Sequence, residues 1–288
     1  MNLIIFDVEH GACALLTCDN GSRIMIDCGH NGVDKWRPGN YLSERNIKNL
    51  EQLFITNYDE DHVSGLPNLL EKVTVQTLSR NTSVTASDLT DLKRENGIGP
   101  GMIKLVGMAS TYTEAVTSPP EFPGVEKKVY FHRYPTFKDE NNLSMVVSLK
   151  ISGINFLFPG DLEKAGWKLL LENNNYFAEE VKKTQVLIAS HHGRENGIYE
   201  PLFDQFGCKP EIVVISDKGY AYDTQLTVPY YRSKVSGIDL NGKRRHVLTT
   251  RKDGCIRFTF PMENRAEVTI NYNMDVELSL AARLGIQL

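Results

Sequence analysis

The sequence predicts an α/β protein with two mixed β-sheets, which a four-layer αββα sandwich fits. Short β-branched and aromatic runs alternate with amphipathic stretches through most of the 288 residues. Tight turns, above all Asn20-Gly21, join some strands as hairpins, so the sheets are not purely parallel. Three apolar runs also end in turns rich in carboxylate, imidazole or both: 54–56 into NYDEDH, 154–158 into Pro159-Gly160-Asp161, and 185–189 into Ser190-His191-His192-Gly193. An α/β protein collects metal donors at one edge of its sheets in this way.

In chain order, strands are predicted over 3–8, 14–17 and 23–27, with turns at His10-Gly11 and Asn20-Gly21. Residues 34–49 read as a loop and helix leading to the 54–56 strand end. After the polar elbow, Ser64, Leu66, Pro67, Leu69 and Leu70 mark the first turns of a helix that passes into another strand by Thr77. Over 79–126 the periodicity weakens and Ser, Thr, Asn, Gly and Pro are frequent, with a helix expected over 102–114 and a loop at SPPEFPG. Nothing there could bury its own core, so it reads as a variable insertion near the substrate face of one domain spanning 1–288. Strands are expected again over 128–134, 145–151, 155–158 and 185–189, with helices at 162–173 and 176–182 between the last two. The closing strands fall over 211–215, 246–249, 256–260 and 267–272.

Composition is that of a globular enzyme-sized chain, at 41% hydrophobic and 24% charged residues. A formal charge of −4 exerts no general pull on nucleic acid, so such binding would need a local basic patch. The opening MNLIIFDVEHG is interrupted by Asp7, Glu9 and His10 too soon for a signal peptide, and no run of about 18 apolar residues predicts a membrane helix. None of the five cysteines forms a CxxC pair, and four lie in or beside predicted strands. Buried thiols in a cytoplasmic protein are the expectation.

Alternate side chains of an extended segment share a face, so Asn57, Asp59 and Asp61 are expected to point together, with His62 beside them. Taken alone, this elbow is better explained by Asp61 as a helix cap, Asp59 as a solvated loop residue and His62 as a surface imidazole. The two other donor-bearing turns favour the metal site.

The same motifs, in the same order, resemble the metallo-β-lactamase superfamily, whose signature is HxHxDH, a later His, a Gly-Asp turn and a final His. More narrowly they resemble the ComEC-like family, the soluble C-terminal domain of competence DNA-uptake proteins and its stand-alone relatives. FDVEHGACALLTCDNGSRIMIDCG is similar to that family's DVGxGDxxLI…ILIDGG, TNYDEDHVSGL to SHxDxDHxGGL, NNLSMVVSLKISGINFLFPGDLE to NxxSxVL…GD, and VLIASHHGREN to HHGS. VVISDKGYAYDTQ and TTRKDGCIRFTF match the closing strands. Several motifs in the correct order are specific where any one would be weak.

The resemblance implies the αββα fold and a metal-dependent hydrolase with two divalent ions, Mn²⁺ or Zn²⁺ with Mg²⁺ also admissible. It implies Asp161 as the bridge, Asp61 and His62 on one ion and Asp59 on the other, with one imidazole of His191 and His192 completing the set. Distance from the strand favours His191, whereas the following Gly favours His192. Relatives place a carboxylate behind the ligands at Asp27 and bring the glycine turn of His10 near the site. Asn57 stands where the superfamily has its first His. Asn142 and Ser144 stand near the place of the later His, as Asn and Ser do in ComEC-like relatives, so one ion keeps mainly oxygen donors, which favours Mn²⁺ or Mg²⁺.

A phosphodiester substrate, DNA or RNA, is what the resemblance implies, with Arg194, Lys218, Arg251 and Lys252 as candidate phosphate contacts at loops after strand ends. Lys243, Arg244, Arg245 and His246 form a second basic run that a solvated face also explains. Asp223 replaces a His of the relatives and reads equally as an extra ligand or as turn chemistry. Hydrolysis of a small ester, lactone or cyclic nucleotide competes with the nuclease reading, as does a non-catalytic module with a protein partner in a multi-gene system.

Overall fold

Strands that are apolar on both faces need cover on both sides, and the middle strands of this chain are of that kind. The computed structural model describes residues 1–94, 97–219 and 223–272, and for Asp223 the backbone only. Its first half runs β1 (Asn2–Ile5), β2 (Cys13–Thr17), β3 (Arg23–Cys28), α1 (Pro38–Glu44), β4 (Asn49–Phe54), α2 (Glu60–Val63), α3 (Leu66–Lys72) and β5 (Thr74–Ser79). Next come α4 (Ala86–Leu92), α5 (Pro100–Thr111), β6 (Val125–Tyr130), β7 (Val146–Ile151), β8 (Ile154–Phe158), α6 (Lys164–Asn173), α7 (Asn175–Val181) and β9 (Val186–Ile188). The chain closes with α8 (Pro201–Asp204), β10 (Ile212–Ile215), α9 (Val228–Lys234), β11 (Ile238–Leu240), β12 (Lys243–Arg245), β13 (Val247–Thr249), α10 (Thr250–Asp253), β14 (Ile256–Met262) and β15 (Arg265–Thr269).

The first sheet has the order β15-β14-β1-β2-β3-β4-β5, and the second β13-β10-β9-β8-β7-β6. Both are mixed: β3, β4 and β5 pair in parallel beside antiparallel hairpins, and β8, β9, β10 and β13 in parallel beside antiparallel β7 and β6. Three buried cores separate four layers. One, with Leu53, Leu66 and Leu105, joins the first sheet to helices; the second, with Leu16, Leu149 and Phe258, lies between the sheets; the third, with Leu157, Trp167 and Phe177, joins the second sheet to α6 and α7. This is the αββα sandwich that the sequence predicts.

The elements expected from 79–126 lie within that plan. Leu89 of α4 and Met102, Leu105 and Met108 of α5 share the first core with Leu66 and Leu69 of α3. Helix α4 escaped the sequence reading because ASDLTDL offers few apolar positions at helical spacing; a Thr85–Asp88 capping box starts it instead. Helix α2 begins at Glu60, four residues before the helix start expected at Ser64. Among the described residues no helix is long and apolar enough to cross a membrane.

Glu60 fastens α5 to the elbow, since its carboxylate accepts from the Gly101 and Met102 N–H groups at 2.7 and 3.0 Å. Those N–H groups have no partner inside the helix, and the carboxylate also meets the positive end of its dipole. Glu60→Ala is therefore expected to lower the unfolding free energy by about 1–2 kcal/mol, on the scale of a lost cap. Denaturant titration checks this, and an unchanged midpoint would contradict the anchoring role.

Candidate metal centre

The elbow that follows β4 divides its side chains between two jobs. Asp59 keeps an extended backbone (φ −92°, ψ 152°) and the helix starts at the next residue, so the alternation that would put Asn57, Asp59 and Asp61 on one face stops there. Asn57 is fully buried and turns toward the loop before β7, donating from Nδ2 to Ser144 Oγ at 3.1 Å and accepting from the Asp59 N–H at 2.7 Å. Asp59 is paired with the Lys93 ammonium, which also lies 2.7 Å from Glu140 Oε1. Asp61 and His62, in the first turn of α2, face the other way.

There His62, Asp61, Asp161 and His192 converge. His62 Nε2 is 3.1 Å from Asp161 Oδ1, and His192 Nε2 is 3.2 Å from Asp61 Oδ2 and 3.6 Å from Asp161 Oδ1. Each ring is aimed from behind. Asp27 Oδ2 lies 2.9 Å from His62 Nδ1, and the Ser216 carbonyl lies 3.0 Å from His192 Nδ1. Both contacts leave Nε2 of each ring toward the carboxylates, as second partners of ligating histidines do. Asp27 is itself held by the Thr56 N–H and hydroxyl at 2.7 and 2.5 Å. Ser144 Oγ accepts from the Asp161 N–H at 3.1 Å and so fixes the Gly160-Asp161 turn.

His10 completes the ring of donors. Its Nε2 is 3.9 Å from Asp61 Oδ2, and its ring centroid is 4.5 Å from that of His192. A Cβ on Gly11 would lie 2.5 Å from the Asp61 carbonyl oxygen, and one on Gly29 would lie 2.6 Å from it. Only glycine lets those two turns close on the elbow from either side. Glu9, Asp27, His191 and His192 all have φ between 51° and 60°, a left-handed conformation costly for residues with a side chain. Such strain gathers where a site fixes its geometry.

The remaining candidates separate clearly. His191 stands back, 4.0 Å from Asp161 Oδ2, with Nδ1 3.4 Å from Glu163 Oε1. Arg194 reaches over the rim to His191 Nε2 at 3.3 Å and His10 Nε2 at 3.0 Å. Asn142 lies away from the centre, accepting from the Gly166 N–H and donating to Asp139. Lys218 pairs with Glu9, and Arg251 is tied to the buried carboxylate of Asp217, which makes it a structural partner rather than an open phosphate contact. Lys252 is exposed. In the basic run Arg245 pairs with Asp253 and Arg244 bonds the Ser236 carbonyl. The side chain of Asp223 lies outside the described residues. Sequence reasoning missed Lys93, Glu140, Thr56, Glu163 and Ser216; of these Thr56 and Ser216, at the ends of apolar strands, carried a positional signal.

The donor set fits a divalent ion. His192 Nε2 is buried without a hydrogen bond of good geometry although two carboxylates stand close, and a cation between them would satisfy all three groups. Two donor groups, His62-Asp161-His192 and His10-Asp61-His192, each bring their ligand atoms within 4.8 Å of one another. Asp59 and His191 belong to neither, so of the pair at the third strand end it is His192 that faces the other donors.

The electrostatics agree. Burial works against a charged His62 ring, but Asp161 and Asp27 outweigh it and push its pKa well up; His192 is raised in the same sense against its own burial by Asp161 and Asp61. Burial also opposes ionised Asp61, yet His192 and His62 bring it down to about 2, and Asp161 is lowered likewise by its imidazole neighbours. His10 is held down to about 4, first by burial and then by His192, and is neutral near pH 7.

An ion entering this centre must displace protons from rings whose pKa is raised, so its apparent affinity is expected to climb as pH rises from about 5 to about 8. Calorimetry across that range checks the sign, and a flat profile would contradict it. His192→Ala is expected to weaken ion binding by at least about tenfold, the scale of altered site partners, whereas His191→Ala leaves it unchanged within error. Equal losses would contradict the placement.

A family profile described as the metallo-beta-lactamase superfamily matches residues 7–217. ComE operon protein 3 of Bacillus subtilis strain 168 is 24% identical over 184 residues, 61% of this chain and 21% of that protein, so the chain spans about a fifth of its length. Among solved structures, a diphosphatase of the PhnP family is similar over 90% of this chain and 98% of its own, at 9% identity and TM-score 0.42. Zn(2+)-bound PqqB from Methylobacterium extorquens is similar over 82% and 87%, at 10% identity and TM-score 0.40. The profile match runs from just after β1 through β2 to β10, including every donor described above, and the chain belongs to the metallo-beta-lactamase superfamily.

Proposed function

We propose that this protein is a metal-dependent phosphodiesterase that cleaves nucleic acid, with Asp61, His62, Asp161 and His192 as the metal-holding residues. The observation that carries the reading is Arg194, a permanent cation on the rim, held between His10 and His191. ComEC-like relatives have Ser at that position of the HHGS motif. A planar guanidinium matches two phosphate oxygens and finds no anionic counterpart in a neutral ester or lactone. The resemblance of the sequence motifs to ComEC-like proteins supports the same substrate class.

A divalent ion held by these donors supplies a Lewis acid for a phosphoryl oxygen and acidifies water. The chain's own residues do the positioning. Asp27 and the Ser216 carbonyl fix the two ligand rings, and Ser144 fixes the Asp161 turn. Glu163, held by Asn141 and Asn196 at 3.0 and 2.6 Å, faces His191 Nδ1, and His191 Nε2 in turn accepts from Arg194. That chain orients the guanidinium toward a phosphate at the centre.

Hydrolysis of bis-p-nitrophenyl phosphate, single- and double-stranded DNA, RNA and p-nitrophenyl acetate with Mn²⁺, Zn²⁺ or Mg²⁺ tests the proposal. Phosphodiester cleavage is expected, abolished in Asp161→Asn. Arg194→Ala should raise KM by about tenfold to a hundredfold, the worth of a hydrogen bond to a charged group. Cleavage of the acetate alone, or an Arg194→Ala variant with unchanged KM, would overturn it.

A further inference from the structure

We infer that His10 is a metal ligand, and that the centre of this chain holds one ion between His10, Asp61, His62, Asp161 and His192. This rests on the proposed function only in needing a bound divalent ion. The imidazole that the HxHxDH pattern would place at 57 is here a buried amide committed to Ser144 and the Asp59 backbone. The carboxylate at 59 is neutralised by the buried ammonium of Lys93, which Glu140 holds from the other side. Donors for a second ion are thus withheld, Asn57 by burial in its own hydrogen bonds and Asp59 by its pairing with Lys93.

His10 enters from the opposite side, on the turn between β1 and β2. Ser216, whose carbonyl aims His192, also donates from Oγ to the Gly11 carbonyl at 2.7 Å, and the Ala12 N–H meets the Asp61 carbonyl at 3.4 Å. The turn is thereby stitched to two of the ligand-bearing segments, and His10 Nε2 lies within 4.8 Å of the ligand atoms of Asp61 and His192. The two donor groups share His192, and because its Nδ1 is engaged by Ser216 only Nε2 is left to meet an ion, so a single ion is what that shared ring can hold. Three imidazoles and two carboxylates suit Zn²⁺ or a comparable first-row ion better than Mg²⁺. His10 Nε2 also accepts from Arg194 Nη2 at 3.0 Å, and one lone pair serves one partner at a time. Ligation by His10 therefore hands the Nη2 arm of Arg194 to a substrate phosphate.

The test is titration calorimetry with Zn²⁺ and Mn²⁺, together with visible absorption of Co²⁺-loaded protein, on wild type, His10→Ala, His10→Gln and Asp59→Asn. One ion per chain is expected in wild type. Both His10 variants should bind at least about tenfold more weakly, with a shifted and changed Co²⁺ spectrum, while Asp59→Asn keeps stoichiometry and spectrum. Two ions per chain, a Co²⁺ spectrum indifferent to His10, or a chain that takes up no ion would each overturn the inference. The readouts are independent of turnover: a His10-dependent Co²⁺ spectrum in a protein that cleaves no phosphodiester would sink the substrate proposal and leave this one standing.

Discussion

A buried imidazole between two buried carboxylates joins the two halves of this molecule. Asp27 lies at the end of β3 in the first sheet, His62 in α2, and Asp161 in the turn after β8 in the second sheet. All three side chains are almost fully withdrawn from water. Removing one member of such a set leaves an uncompensated buried charge, which costs several kcal/mol, so the interaction constrains the strand ends around it. Thr56, Ser144 and Ser216 supply the hydrogen bonds that satisfy the carboxylates, the turn and the neighbouring ring, and left-handed backbone at Asp27, His191 and His192 is tolerated because these contacts over-determine it.

The elbow shows how a short segment serves both the fold and the site. Asp59 and Glu60 reach into the 79–126 stretch, one to Lys93 and one to the start of α5, and hold two helices of the outer layer. Asp61 and His62 then turn inward because the helix has already begun. The stretch read as an insertion near the substrate face is in this way part of the wall that positions the centre, and it removes Asp59 from the inward-facing donors.

Much of this was legible in the sequence, for identifiable reasons. Strand periodicity, hairpin turns and donor-bearing strand ends are local signals, and they located the layers, Asp61, His62, Asp161 and the His191-His192 pair. The partners of Asp59 were not legible, because Lys93 is 34 residues away in a segment with weak periodicity. Nor was the choice of His192 over His191, which depends on consecutive left-handed residues at φ 51° and 52° that no composition announces. Arg251 looked like an open cation until the fold placed it against Asp217. His10 was placed near the site only by resemblance, since the close approach of its turn depends on glycines at 11 and 29 meeting one carbonyl oxygen.

The most direct measurement is anomalous X-ray diffraction from crystals grown with Zn²⁺ or Mn²⁺. The account predicts a single anomalous peak in bonding range of Nε2 of His62, Nε2 of His192 and the carboxylates of Asp61 and Asp161, with Lys93 still paired to Asp59. A peak bound by Asp59, with the Lys93 ammonium displaced, would contradict it.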